Sequence, residues 1–497
     1  MDMENKDLSP KLEDLAAELG EVSSGLFVGE AAYALELLKM PFTDGEAAVE
    51  AAQLAARAVA IYKAGLADNE NFRAAYDAHK PKNFTDFAPI PLDAALQDAM
   101  GAKLLNLVTD KAGTEVHFTI GYHAGRIAGF MLRDLWKRGI AFHIDAPDTD
   151  FSRLLISHAD EDGLKAYAAY RIETLKTVTN DVVVLPNSMP PSLVPENKDK
   201  AKLFSELMAP QKARSRSGEV VFTLTYFPTE IDAELDGIPL DDYLQLHFEM
   251  SDQPDHLIVK AHEVLIERLN RTKHVRFTND DGTDVSMELT DENGRQFTFC
   301  NSMAYRNVPG SEVFSAPRWD SINGTIVAKG KFNPKSDKGS VIENLTLEFK
   351  DGKIISFAAD KGANVFQAFL DRDPNNAYVG ELGIGTNPHL KRHVLNGLLV
   401  EKIGGSFHLA LGAAYTMTDY LGTPVHVDNG NRSIDHWDVT TMLYGHGGRM
   451  YLDGEMVMED GIFLDPALDV LNRGWLAVPV EDRTGRWKDY KGPFTGK

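Results

Sequence analysis

The chain has 497 residues, 43% of them hydrophobic and 25% charged, with 51 basic against 74 acidic side chains and a net charge of −23. Such a length favours two to four domains with room for sizeable cores, and the ordinary composition excludes a chain disordered throughout. The acidic balance opposes non-specific binding to nucleic acid or anionic membranes and mildly favours cationic ligands.

Residues 1–110 are rich in alanine and leucine at helical spacing. Thr43-Asp-Gly-Glu46 places a hydroxyl cap three residues before a carboxylate, so this part is predicted as a helical extension. The opening MDMENKDLSPK has no basic stretch leading into an apolar core, which argues against a secretory signal. The most apolar stretch, residues 47–66, is interrupted by Glu50, Arg57 and Lys63 and reads as an amphipathic helix, not a membrane span. Cys300 is the sole cysteine, so no intrachain disulfide can form and a reducing, cytoplasmic setting is expected.

From 111 to 297, short apolar runs alternate with helical stretches. VHFTI is followed by a helix from near His123, IAFHID by a helix through Tyr167 and Leu175, and DVVVL and VVFTLTY come later. This alternation predicts an α/β domain with a partly parallel sheet. PPSLVPENKDK, around residues 190–200, reads as an exposed loop. From 298 to 497 the texture is β-rich, with hairpins expected at Asp351-Gly352 and Asp453-Gly454. The predicted class is therefore α/β plus α+β: a helical extension, an α/β domain and a C-terminal β-rich domain.

The β-rich part carries isolated ionisable side chains inside apolar, glycine-rich segments: Glu312 in NVPGSEVFSAP, Glu381 in YVGELGIGTNP, His408 in GGSFHLALGAAY, and His436 and Asp438 in SIDHWDVTTM. A carboxylate desolvated in such surroundings is costly unless a proton, a partner or a metal compensates it, and five such groups suggest a metal. His436 and Asp438, two apart on a strand, face the same side and can present an imidazole and a carboxylate to one ion. Taken singly, each has an ordinary alternative: His408 as a core histidine, His436 and Asp438 as a surface ion pair, Glu312 as a partner of Arg306 or Arg318. Tyr415 follows His408 by seven residues, and Gly412 between them allows a turn. His389 and His393 in PHLKRH have the spacing of a helical zinc pair but lack the glutamate of an HExxH motif, and read as a solvated helix start after Asn387-Pro388. The glycines of YGHGGRM read as a turn, and no GxSxG elbow is present.

In this order, the four segments NVPGSEVFSAP, ELGIGTNP, IGGSFHLALGAAY and SIDHWDVTTM resemble the signature blocks of the M29 metallo-aminopeptidases, the thermophilic or AmpS/PepS type. The likeness is specific over residues 300–445, weaker from about 115 to 300, and does not reach the first hundred residues. It implies metal ligation by Glu312, Glu381, His408, His436 and Asp438, an active-site role for Tyr415, and a homodimer whose active sites face an internal cavity. It further implies a two-metal peptidase that removes N-terminal residues from peptides with a free amine. Mixed carboxylate and imidazole ligands suit zinc, cobalt or manganese, with magnesium also admissible, and a water bridging two ions is the expected nucleophile. Tyr415 is suited to donate a hydrogen bond to the developing oxyanion, and Glu312 is the candidate general base. Two rival expectations are a one-iron ring-cleaving enzyme of the 2,5-dihydroxypyridine dioxygenase type, using His408, His436 and Asp438, and a scaffold without catalysis. The presence of both glutamates favours the hydrolase.

Overall fold

The computed structural model describes Asp14, Ala17, Ile90 and residues 92–489, except 109–112, 122–123, 146–155, 158, 189–196, 217–218, 304–305, 334–339 and 421. Most of the predicted helical extension, including Thr43–Glu46 and residues 47–66, lies outside the described residues. Its last helix, Ala94–Asn106, is described, and the Asp93 carboxylate caps it by accepting from the Ala95 amide at 2.7 Å. Chain contacts divide the molecule after Thr229 into two compact units.

The first unit carries β1 (Glu115–Ile120), β2 (Ala141–Asp145), β3 (Asn180–Pro186) and β4 (Val221–Phe227), paired in parallel in the order β2-β1-β3-β4. Parallel neighbours require crossovers, and helices Gly125–Lys137 and Glu161–Leu175 provide the first two. Val116, Phe118, Ile120, Val182 and Val184 are buried on one face and His117 and Val183 on the other, as expected of strands covered on both faces. The loop expected around 190–200 ends earlier than the sequence suggests. Asn197 caps a helix at Lys198–Leu207 by accepting from the Lys200 amide at 3.1 Å, while 189–196 lie outside the described residues.

Helices Glu230–Asp236, Leu240–Ser251 and Asp255–Leu269 open the second unit and precede its strands. These are β5 (His274–Thr278), β6 (Asp284–Glu288), β7 (Cys300–Asn301), β8 (Arg306–Asn307), β9 (Glu312–Ser315), β10 (Asn323–Phe332), β11 (Ile342–Lys350), β12 (Lys353–Lys361), β13 (Val379–Gly385), β14 (Ser406–Gly412), β15 (Asp419–Tyr420), β16 (Thr423–Pro424), β17 (His436–Met442), β18 (Arg449–Leu452), β19 (Glu455–Glu459) and β20 (Ile462–Phe463). Two antiparallel sheets dominate, in the orders β12-β11-β10-β6-β5-β18-β19-β20 and β17-β14-β13-β9-β7. The expected hairpins join β11 to β12 and β18 to β19. In both turns the Asp and the Gly have positive φ (47° and 79°; 48° and 87°), the backbone that matches strand twist in a two-residue connection.

The second sheet positions the candidate site through strict alternation. Val313, Leu382, Ile384, Phe407, Leu409, Leu411, Trp437 and Val439 point into the common core, where Phe407 stacks on Phe277 of the larger sheet at 4.1 Å. The residues between them point to the opposite face. Pairing of Gly385 with Glu312, Gly383 with His408 and Ala410 with Asp438 places Glu312, Glu381, His408, His436 and Asp438 together on that second face.

Candidate metal centre

Each of the five side chains comes from a strand of the same sheet, across a sequence span of more than a hundred residues. Glu312, Glu381, His408 and Asp438 are buried, and His436 is half-buried at the rim. His408 Nε2 lies 3.6 Å from both Glu312 Oε2 and Glu381 Oε1. His436 Nε2 lies 3.2 Å from Glu381 Oε2 and 3.4 Å from Asp438 Oδ1. One ligand-type atom from each of Glu381, His436 and Asp438 lies within 4.8 Å of the others, with Glu381 standing between the two imidazoles.

The imidazoles are aimed by different means. His436 Nδ1 donates to the Ala413 carbonyl at 2.8 Å, which turns Nε2 toward the carboxylates in the manner of a tethered metal ligand. His408 has no such tether, and its Nδ1 has no hydrogen-bond partner among the described residues. Its ring lies across Gly383 instead: a Cβ at that position would stand 2.1 Å from His408 Nε2. Gly412, with φ +98°, ends β14 and turns the chain. Beyond it the Tyr415 ring comes to 5.4 Å from His436 and 5.3 Å from Phe314 and remains 39% exposed.

Electrostatics in the metal-free state show what the cluster needs. Burial disfavours a charged His408, yet Glu381, Glu312 and Asp438 outweigh it and push the imidazole up to about 9. Burial likewise opposes protonation of His436, and Asp438 and Glu381 overcome it, so His436 is held well above its ordinary range. Burial would raise Glu381, but the two imidazoles bring it below its ordinary value. Imidazoles coordinate a metal only when neutral, so ligation by these two rings would release protons. The donor set fits divalent ions: carboxylates and imidazoles converge in a water-poor setting, and Glu312 Oε2 accepts no hydrogen bond from the described residues. Tyr415 keeps its proton well above the ordinary range, chiefly because of the neighbouring Glu381 charge.

Sequence reasoning missed Lys402. Wholly buried in the turn Val400–Lys402, it pairs with Glu312 Oε1 and lies 3.2 Å from Glu401 Oε2. Burial alone would lower this ammonium, and the two carboxylates hold it above its ordinary value instead. Lys402 is a partner of Glu312, where the ordinary alternative reading of the sequence had Arg306 or Arg318; Arg318 pairs with Glu288 and Asp320. His389 and His393 do not make the expected solvated helix start. No helix follows Pro388; His389 is 3% exposed and stacks on Trp487 at 4.5 Å, and His393 packs its ring edge-on to Phe332 at 4.8 Å. The glycines of YGHGGRM form a turn between β17 and β18, with Gly445 and Gly447 at positive φ.

A family model described as thermophilic metalloprotease (M29) matches residues 106–463, and the chain belongs to that family. Among curated relatives, aminopeptidase 2 of Geobacillus stearothermophilus is 33% identical over 128 residues, 25% of this chain and 28% of that protein. Aminopeptidase AmpS of Bacillus subtilis (strain 168) is 31% identical over 178 residues, 32% of this chain and 40% of that protein. The aligned stretches thus span less than half the length of these relatives. The solved structure of wild-type AmpT from Thermus thermophilus has the same fold, with a TM-score of 0.56 at 21% identity, covering 74% of this chain and 99% of that one.

Proposed function

We propose that this protein is a metal-dependent aminopeptidase that hydrolyses the N-terminal residue from peptides with a free amine, using two divalent ions. One observation carries the reading: in a chain of a metalloprotease family, Glu312, Glu381, His408, His436 and Asp438 converge on one sheet face, and Glu312 Oε2 has no hydrogen-bond partner among the described residues. Zinc, cobalt or manganese suits the donors, and magnesium is admissible. When bound, such ions polarise a peptide carbonyl and lower the pKa of a coordinated water.

The protein's own groups do the rest. Glu312, Glu381, His408, His436 and Asp438 would hold the ions, and Glu381, which lies between the two imidazoles, would be shared by the Glu312–His408 and His436–Asp438 halves of the site. Glu312 Oε2 is the oxygen open to an ion or to a transferred proton, consistent with a general-base role. Tyr415, protonated at neutral pH and exposed at the rim, donates to the oxyanion that develops on the scissile carbonyl. Cleavage at the chain end rather than within it follows if the substrate's free amine is held beside this cluster. A homodimer working in the cytoplasm belongs to the same proposal; no helix among the described residues is long and apolar enough to cross a membrane.

Purified protein assayed on aminoacyl amides and their N-acetylated counterparts tests this reading. Hydrolysis should require the free amine, vanish after exhaustive chelation and return with zinc, cobalt or manganese, with two ions bound per chain. Equal cleavage of blocked substrates, or full activity without metal, would overturn it, and a single bound iron would point to ring-cleaving chemistry.

A further inference from the structure

Lys402 is fully buried, separated in sequence from its carboxylate partner on β9 by the four strands β10 to β13, and lies outside the ligand set. Its own placement is fixed twice over. The Lys402 amide donates to the Leu399 carbonyl at 3.0 Å, and its carbonyl accepts from the Asn387 amide at 2.9 Å, tying the turn to the chain that leaves β13. Its ammonium is held between Glu312 and Glu401. Such a pair is a weak device for stability, since apolar side chains of similar volume usually stabilise a core as well or better. What it does accomplish is to make the two oxygens of Glu312 different. Oε1 is occupied by Lys402, whereas Oε2 has no hydrogen-bond partner among the described residues and faces His408 Nε2 at 3.6 Å.

We propose that Lys402 is a positioning residue of the metal centre: it holds Oε1 of Glu312 so that the carboxylate presents Oε2 alone, in one orientation, toward His408. The inference rests on the two-metal reading above. A carboxylate free at both oxygens can rotate or chelate through both, and groups that orient a ligand carboxylate contribute to metal affinity without touching the ion. Glu401 in turn keeps the ammonium from swinging away from Glu312.

The experiment is a double-mutant cycle read by calorimetric titration of the full-length protein with manganese(II), with circular dichroism and thermal unfolding to verify the fold. Lys402→Met should weaken binding of one of the two ions by roughly 10- to 100-fold and leave the other in place. In a Glu312→Gln background the same change should bring no further loss, because Lys402 acts only through that carboxylate. If Lys402→Met does not fold, Lys402→Gln, which keeps an N–H donor, is read in the same cycle and should show the same pattern at smaller amplitude. Folded variants that bind both ions as the unmodified protein does, or equal losses in both backgrounds, would overturn this inference alone. An unmodified protein that binds no manganese would overturn the metal reading and this inference with it.

Discussion

Gly383 shows how much of the centre depends on an atom that is missing. A β-carbon there would fall within 2.1 Å of the His408 ring, and no shift of a flexible side-chain end can relieve a rigid imidazole buried at 1% exposure. Gly383→Ala is therefore expected to displace His408 and lower bound metal below two ions per chain, at an overpacking cost of about 1–3 kcal/mol. Metal content by elemental analysis, with thermal unfolding alongside, checks this; two tightly bound ions in the folded variant would show that the glycine does not set the ring. The residues that converge on the site face were legible in the sequence because an isolated carboxylate or imidazole in an apolar segment signals its own desolvation cost. Lys402 in LLVEKIGG carries the same signal less clearly, because Glu401 beside it offers a local partner and nothing local points to Glu312. Gly383 was not legible at all, because its role is a contact with His408 across a strand pair whose register no local pattern encodes.

At the level of elements, the two Asp-Gly hairpins look equivalent in sequence and differ in surroundings. A β-carbon on Gly352 would stand 1.9 Å from the Trp319 carbonyl oxygen, whereas one on Gly454 would meet nothing within 4 Å. Both positions have positive φ, so Gly454→Ala should cost about 1 kcal/mol from backbone conformation alone. Gly352→Ala should cost more, about 2–4 kcal/mol, because a backbone clash is added. Urea denaturation of both variants decides it, and equal losses would refute the crowding argument. The hairpins and the parallel strands could be read in advance because turn chemistry and apolar runs are local signals. The segment after Pro388 could not: His389 and His393 are spaced like a helical face, yet Trp487, almost a hundred residues onward, and Phe332 draw them into packed positions.

Across the whole molecule, buried neutral histidines set a limit on acid tolerance. Burial pushes His247 down to about 3, and His262 and His393 down to about 4. His262 lies between Asn301 Oδ1 at 2.8 Å and the Thr386 hydroxyl at 2.7 Å, joining a helix to the site sheet. Because its folded-state pKa lies below the unfolded value of 6.5, the unfolded chain binds more protons below that pH. The contribution is full above pH 6.5 and is lost as pH falls toward 4, by about 3 kcal/mol for His262. Stability measured from pH 7 to 4 should fall accordingly, and His262→Gln should be weaker at pH 7 but lose less over that range; an unchanged slope would remove His262 as a source. The site sheet carries a further consequence. The proposed ligands alternate with core residues on β9, β13, β14 and β17, so a slip of β17 by one residue against β14 would turn His436 and Asp438 into the apolar core and Trp437 out to the site. On the proposed ligation, the capacity to bind divalent ions is a property of one strand alignment alone: ions present during refolding should favour that alignment over its competitors, and the ion-binding titre of a preparation should count the chains that reached it.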